Sequence, residues 1–187
     1  MFALRPAFAI LHFRLSHSRR SQMSGPAKRV VVFCNSGSGK STYAKEEASL
    51  LNCPHLDLDT VAWLQGVSPP TRKPISDSAR AINEFRALSD SWVIEGCYAD
   101  LLELAMTECT EIVFLNPGVE ACTLNAKNRP WESHKYSSPE AQNAHLAMLI
   151  DWINGYHERT DEFSYSAHRT LFDDFSGPKS EFRSNAR

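Results

Sequence analysis

The residues best equipped for chemistry lie in one short stretch, Val31-Val32-Phe33-Cys34-Asn35-Ser36-Gly37-Ser38-Gly39-Lys40-Ser41-Thr42. It closely follows the Walker A pattern G-x-x-x-x-G-K-[ST], with an apolar run before it and helical spacing after it. Such a stretch serves the capture of a polyphosphate. A glycine-rich turn lets successive backbone N–H groups point inward at the start of a helix, where the helix dipole also favours negative charge. On this reading Ser36, Gly37, Ser38, Gly39, Lys40, Ser41 and Thr42 bind the nucleotide phosphates. Lys40 supplies a mobile charge for the β- and γ-oxygens, and the Ser41 hydroxyl is placed to ligate Mg²⁺. One position departs from the pattern, because Cys34 stands where the first glycine is expected. A small side chain fits there only if its φ is negative.

Phosphoryl transfer also requires a metal anchor and a carboxylate beside the incoming hydroxyl. In doubly wound sheets the ligand lies beyond the carboxyl ends of the strands, which singles out Asp57, Asp59 and Glu95. The two-residue period puts Asp57 and Asp59 on one side of a second strand, His55 to Asp59. Glu95 is expected near Mg²⁺, and Asp59 is expected to orient the acceptor or take its proton. The structural alternatives are that either aspartate caps a turn and that Glu95 is a solvated strand end.

A lid is expected around residues 128–138, within Arg129-Pro130-Trp131-Glu132-Ser133-His134-Lys135-Tyr136. Arg129 offers a planar fork for phosphate oxygens, Lys135 a second charge, and Trp131 and Tyr136 surfaces for stacking or cover. The alternative is a surface loop with docked aromatics and solvated charges. Trp63 to Lys73 is placed to receive the acceptor, with Trp63 as a wall and Arg72 as an anion anchor. Arg159 and Arg169 are further candidate phosphate contacts.

The elements that must position these groups alternate between short apolar runs and helical patterns, the signature of a parallel α/β sheet with helices on both faces. Strands are expected at Val30 to Phe33, His55 to Asp59, Trp92 to Ile94 and Glu111 to Leu115, and a fifth near Glu181 to Arg183. Helices are expected at Lys40 to Leu51, from Ile75 to Leu88 with Ile75, Ala79, Ile82, Phe85 and Leu88 on one face, and at Leu101 to Met106. Further helices follow at Val119 to Lys127, in one long run from Pro139 to His157, and at Ala167 to Phe175. Ser68 to Pro74 is too rich in proline for regular structure.

The chain has 187 residues and a formal net charge of -2, which fits one domain over residues 28–187. Residues 1–27 carry no acid and read either as a disordered extension or as a targeting segment. Six bases, Arg5, Arg14, Arg19, Arg20, Lys28 and Arg29, precede the first strand and leave 14 Lys and Arg against 22 Asp and Glu. A body that acidic has no broad basic face, so double-stranded nucleic acid is not expected as a partner. No apolar run approaches the length of a membrane helix. The five scattered cysteines form no C-x-x-C pair and read as reduced thiols. The expected location is the cytoplasm, or the mitochondrial matrix if residues 1–27 are a transit peptide. The sequence leaves the oligomeric state open.

Beyond the phosphate loop, Leu58-Asp59-Thr60-Val61-Ala62-Trp63, Trp92-Val93-Ile94-Glu95-Gly96-Cys97-Tyr98, Ile112-Val113-Phe114-Leu115 and Asp151-Trp152-Ile153-Asn154-Gly155-Tyr156 resemble segments of small adenylate-kinase-like P-loop kinases. The likeness is to the group labelled DNA topology modulation proteins and, more distantly, to shikimate kinase. It implies a P-loop NTPase fold with a five-stranded parallel sheet of nucleoside monophosphate kinase type, and ATP as donor. It also implies nucleotide contact at Lys40 and Ser41 and an acceptor-side carboxylate at Asp59. Glu95 departs from the aspartate usual in such relatives, and the lid carries fewer arginines. The function these readings favour is ATP- and Mg²⁺-dependent phosphorylation of a small hydroxyl-bearing or nucleotide acceptor. The rival is a nucleotide-binding regulatory module without efficient transfer. No Asn-Lys-x-Asp motif is present, which disfavours GTP.

Overall fold

The computed structural model describes residues 25–67, 69–133 and 137–185. Most of the expected N-terminal extension, and the lid residues His134, Lys135 and Tyr136, lie outside the described residues.

Five parallel strands form one sheet: β1 (Arg29–Phe33), β2 (His55–Asp57), β3 (Trp92–Gly96), β4 (Glu111–Leu115) and β5 (Lys179–Phe182), in the order β2-β3-β1-β4-β5. Together with the phosphate loop that follows β1, this is the P-loop NTPase fold. The central strand is buried along Val30-Val31-Val32-Phe33, as a strand covered on both faces requires. Phe33 stacks on Phe114 of β4 with ring centroids 5.2 Å apart, so β1 and β4 share one aromatic layer.

Parallel strands need crossovers, and helices provide them: α1 (Lys40–Leu51), α2 (Asp59–Ala62), α3 (Ile75–Arg86), α4 (Ala99–Met106), α5 (Val119–Asn128), α6 (Pro139–Ala144), α7 (Leu146–Asn154) and α8 (Tyr165–Asp174). Among the described residues, no helix is long and apolar enough to cross a membrane.

Three departures from expectation have local causes. The second strand stops at Asp57, because the Asp57 side chain accepts from the Asp59 N–H at 2.9 Å and its carbonyl accepts from the Thr60 hydroxyl at 2.7 Å. This turn converts the strand end into α2, so Asp59 opens a helix instead of sharing a strand face with Asp57. In α3 the inward face runs through Ser78, Ile82 and Phe85, while Ile75 and Leu88 are exposed. Ile75 is the first residue of the helix and Leu88 lies beyond its end, where neither can reach the core. The run from Pro139 is broken at His145 into α6 and α7, and the chain then tightens into a 3₁₀ turn at Gly155–His157.

Candidate active site

The phosphate loop links β1 to α1, and its shape follows from two glycines. Gly37 and Gly39 both adopt positive φ, 77° and 83°, so the chain folds tightly enough to present its backbone at the start of α1. A Cβ on Gly37 would lie 2.3 Å from the Cys122 carbonyl oxygen, so α5 packs directly against the loop. Cys34 does not adopt positive φ, and the sequence's departure from glycine is accommodated there without left-handed strain. Its thiol is buried, and burial pushes it up to about 12. It is therefore a neutral thiol.

Asn35 ties the loop down from beneath. Its side-chain NH₂ donates to the Ile153 carbonyl of α7 at 3.0 Å, while its side-chain oxygen accepts from the Ser36 N–H at 2.9 Å. Asn125 of α5 braces the other side by donating to the Gly37 carbonyl at 2.8 Å. Asn125 was not identifiable as a site residue from sequence, because it acts through a backbone atom remote from it in the chain; Asn35 stood within the loop pattern with no role attached to it.

Behind the loop runs a buried chain of polar groups with one allowed sense. The His168 Nε2 lies 3.0 Å from the Cys97 carbonyl, which can only accept, so Nε2 carries the proton. Nδ1 is then the acceptor for the Tyr156 hydroxyl at 2.7 Å. The Tyr156 oxygen in turn faces the Cys34 thiol at 3.8 Å, leaving the S–H to donate. Burial pushes His168 down to about 4, which keeps the ring neutral as this arrangement requires.

Lys40 projects from the first turn of α1, 3.5 Å from the Asn35 carbonyl. Burial works against its charge, yet the negative groups around it, Glu95 and Asp59 among them, raise its pKa above the ordinary lysine value. Glu95 lies in register with Val32 of β1 and Asp57 of β2. It is only 1% exposed and so is not a solvated strand end. Burial first, then Asp57 and Asp59, hold its carboxyl well above the usual carboxylate range, against the pull of Lys40 and a hydrogen bond with Ser41. The nearest imidazole, His55, has its Nε2 3.9 Å from Glu95 Oε1, and burial lowers its pKa towards the neutral form.

Glu95 Oε1 is buried and has no hydrogen-bond partner. An orphaned carboxylate oxygen beside a serine hydroxyl fits a hydrated Mg²⁺ held mainly by phosphates and water. It does not fit an all-protein cage, and among the described residues no cluster of three or more His, Cys, Asp or Glu is arranged to hold a metal.

Asp59 reaches the same space from the start of α2. The Tyr98 hydroxyl donates to Asp59 Oδ1, and the Trp63 indole N–H donates to the Tyr98 oxygen at 2.7 Å. Tyr98 is buried and was legible in the sequence only as part of the Trp-Val-Ile-Glu-Gly-x-Tyr resemblance, with no role attached to it.

Ser36, Gly37, Gly39, Lys40, Ser41, Thr42, Asp59, Glu95 and Arg129 all line one cleft of about 820 Å³. Ser38 is buried beneath the loop instead. Arg129 follows α5 directly and pairs with Glu132 at 3.1 Å, while Trp131 is about half exposed. The other arginines are committed elsewhere. Arg72 pairs with Asp100 at 2.9 Å and Glu162 at 2.8 Å, which leaves it poorly suited to anchor an anion. Arg159 lies over the Trp152 ring at 3.8 Å and donates to the Trp152 and Phe163 carbonyls. Arg169 is paired with Asp173 and Glu181.

No protein-family model and no curated protein matches the chain. Among solved structures it is similar to shikimate kinase from Acinetobacter baumannii in complex with shikimate, at 16% identity and a TM-score of 0.41, covering 78% of this chain and 91% of that one. It is also similar to a sugar kinase from Janibacter sp., at 15% identity and a TM-score of 0.45, covering 85% and 87%. A third is shikimate kinase from Bacteroides thetaiotaomicron, at 16% identity and a TM-score of 0.37, covering 78% and 96%.

Proposed function

We propose that this protein is a phosphotransferase that binds ATP with Mg²⁺ and phosphorylates a hydroxyl of a small molecule. The observation that carries this reading is the convergence on one cleft of a phosphate loop, Lys40, a buried unpartnered carboxylate oxygen on Glu95, and Asp59. A bare phosphate-binding loop would account for the first two, but not for two further acids brought there by β3 and by the start of α2.

In the proposed reaction the loop N–H groups and Lys40 hold the β- and γ-phosphates. Ser41 and Glu95 would hold Mg²⁺, which when bound neutralises charge on the β- and γ-phosphate oxygens. Asp59, held in place by Tyr98, orients the acceptor hydroxyl and takes its proton as the oxygen bonds to the γ-phosphorus. The bond from the γ-phosphorus to the bridging oxygen breaks, and ADP leaves with that electron pair. Arg129, released from Glu132, serves as the lid's contact to the transferred phosphoryl group.

The experiment is ADP release from Mg²⁺-ATP across nucleosides, nucleoside monophosphates, polyols and hydroxy acids, with Lys40→Ala as blank. Acceptor-stimulated release that vanishes in the blank supports transfer. Nucleotide binding with no stimulation by any acceptor would replace this reading with that of a regulatory nucleotide-binding module.

A further inference from the structure

Around Tyr98, the residue that holds Asp59, the arginine head groups are already paired within the protein. The Arg72 guanidinium, the cation that sequence position offers to an incoming anion, is held by two carboxylates, Asp100 at 2.9 Å and Glu162 at 2.8 Å. Its flat face is also covered, lying 4.8 Å from the Tyr98 ring centroid and within 6 Å of those of Trp63 and Phe163. Arg159 is likewise committed, stacked on Trp152 and bonded to two carbonyls, with Asp161 3.7 Å away. Two arginines thus face Asp100, Glu162 and Asp161. An anion approaching Arg72 would have to break a two-carboxylate pairing to gain one guanidinium. A hydroxyl compound without a negative group needs no such guanidinium and can be met by the Asp59 carboxylate that Tyr98 and Trp63 hold in place.

We infer that the acceptor is an uncharged or cationic hydroxyl compound, such as a polyol, a sugar or an amino sugar, and not a carboxylate or a phosphate monoester. Arg72 with Asp100 and Glu162 is then the device that excludes anions. The inference rests on the phosphotransferase reading for the existence of an acceptor, and it fixes that acceptor's charge.

The test is binding within charge-graded sets built on one skeleton: glucose, glucosamine and glucuronate, and glycerol with glycerol 3-phosphate. Each is titrated into the full chain loaded with Mg²⁺ and a non-transferable ATP analogue, and followed by ligand-observed saturation-transfer NMR. The expected result is at least about tenfold weaker binding of the anionic member than of its neutral or cationic counterpart. Glu162→Gln, and Glu162→Gln with Asp100→Asn, are expected to raise affinity for the anionic member stepwise, with circular dichroism confirming the fold of each. An anionic member that binds best, a set in which no neutral or cationic member binds, or folded variants that gain nothing for the anion would overturn the assignment. Loading with the ATP analogue, and its loss in Lys40→Ala, is read in the same samples. A failure of the acceptor assignment is therefore distinct from a failure of the proposed function.

Discussion

The phosphate loop and the cluster around Asp59, the donor half and the acceptor half of the proposed reaction, are built by different means. The donor half is made of backbone, contiguous in sequence from Asn35 to Thr42 and forced into shape by two glycines with positive φ. The acceptor half is made of side chains that meet from far apart. Trp63 and Tyr98 are 35 positions apart, Tyr98 and Asp59 are 39, and Arg72 lies 28 from Asp100 and 90 from Glu162. On the proposed function, a backbone cradle suits a ligand part common to every nucleotide, and a side-chain cluster that can be retuned one residue at a time suits the acceptor.

Substitutions can sharpen or break that contrast. The largest effect is expected at Lys40→Ala, which removes the one mobile charge of the donor half. Acceptor-dependent ADP release should fall on the order of 10²–10³-fold, by analogy with the loss of one transition-state donor. Asp59→Asn should reduce kcat by about 10²-fold with little change in the KM for ATP, since it removes a proton acceptor and no nucleotide contact. If the KM for ATP rose instead, Asp59 would belong to the donor half. Gly37→Ala should destabilise the fold by about 1–3 kcal/mol in urea unfolding, because the residue combines positive φ with the close Cys122 carbonyl. Tyr98→Phe should cost about 1 kcal/mol of stability and lower kcat modestly, with ATP affinity unchanged.

The smallest effect is a pH slope that belongs to the scaffold behind the donor half. His168 is neutral in the fold, with its pKa pushed down from 6.5 to about 4. Its contribution to stability is therefore fully present above pH 6.5 and is lost as pH falls through about 4. Glu95, whose pKa is raised, acts in the opposite sense: its contribution is present at low pH and is lost as pH rises. Thermal unfolding of Glu95→Gln should therefore show a steeper net loss of stability towards acid than the parent, and adding His168→Gln should flatten it. If the second substitution left the slope unchanged, His168 would not be the buried neutral group.

The same contrast explains what could be read in advance. The limits of α1 and β4 agree with expectation, because α1 runs between left-handed turns at Gly39 and Asn52 and β4 is a short apolar run buried from Ile112 to Leu115. The donor residues were legible because a phosphate loop is a local pattern. The end of β2 was not, because an Asx turn and a continuing strand both accept Asp-x-Asp, and the Asp57 side chain decides between them. Nothing at Ala144-His145 marks a helix break, as neither proline nor glycine stands there. Arg72 carries the same charge in sequence whether it is open to a ligand or locked by acids 28 and 90 positions away. Only the fold brings those acids to it.

The burial of Cys34 has a practical consequence. Cys34, Cys97 and Cys122 are buried, whereas Cys53 and Cys109 are partly exposed. In the folded protein a thiol-alkylating reagent should modify the latter pair first. Modification of Cys34 then requires the turn between β1 and the phosphate loop to open, so its labelling rate measures how often that turn comes apart. Peptide mass spectrometry at increasing reagent times would read that opening frequency directly, and a bound nucleotide should slow it.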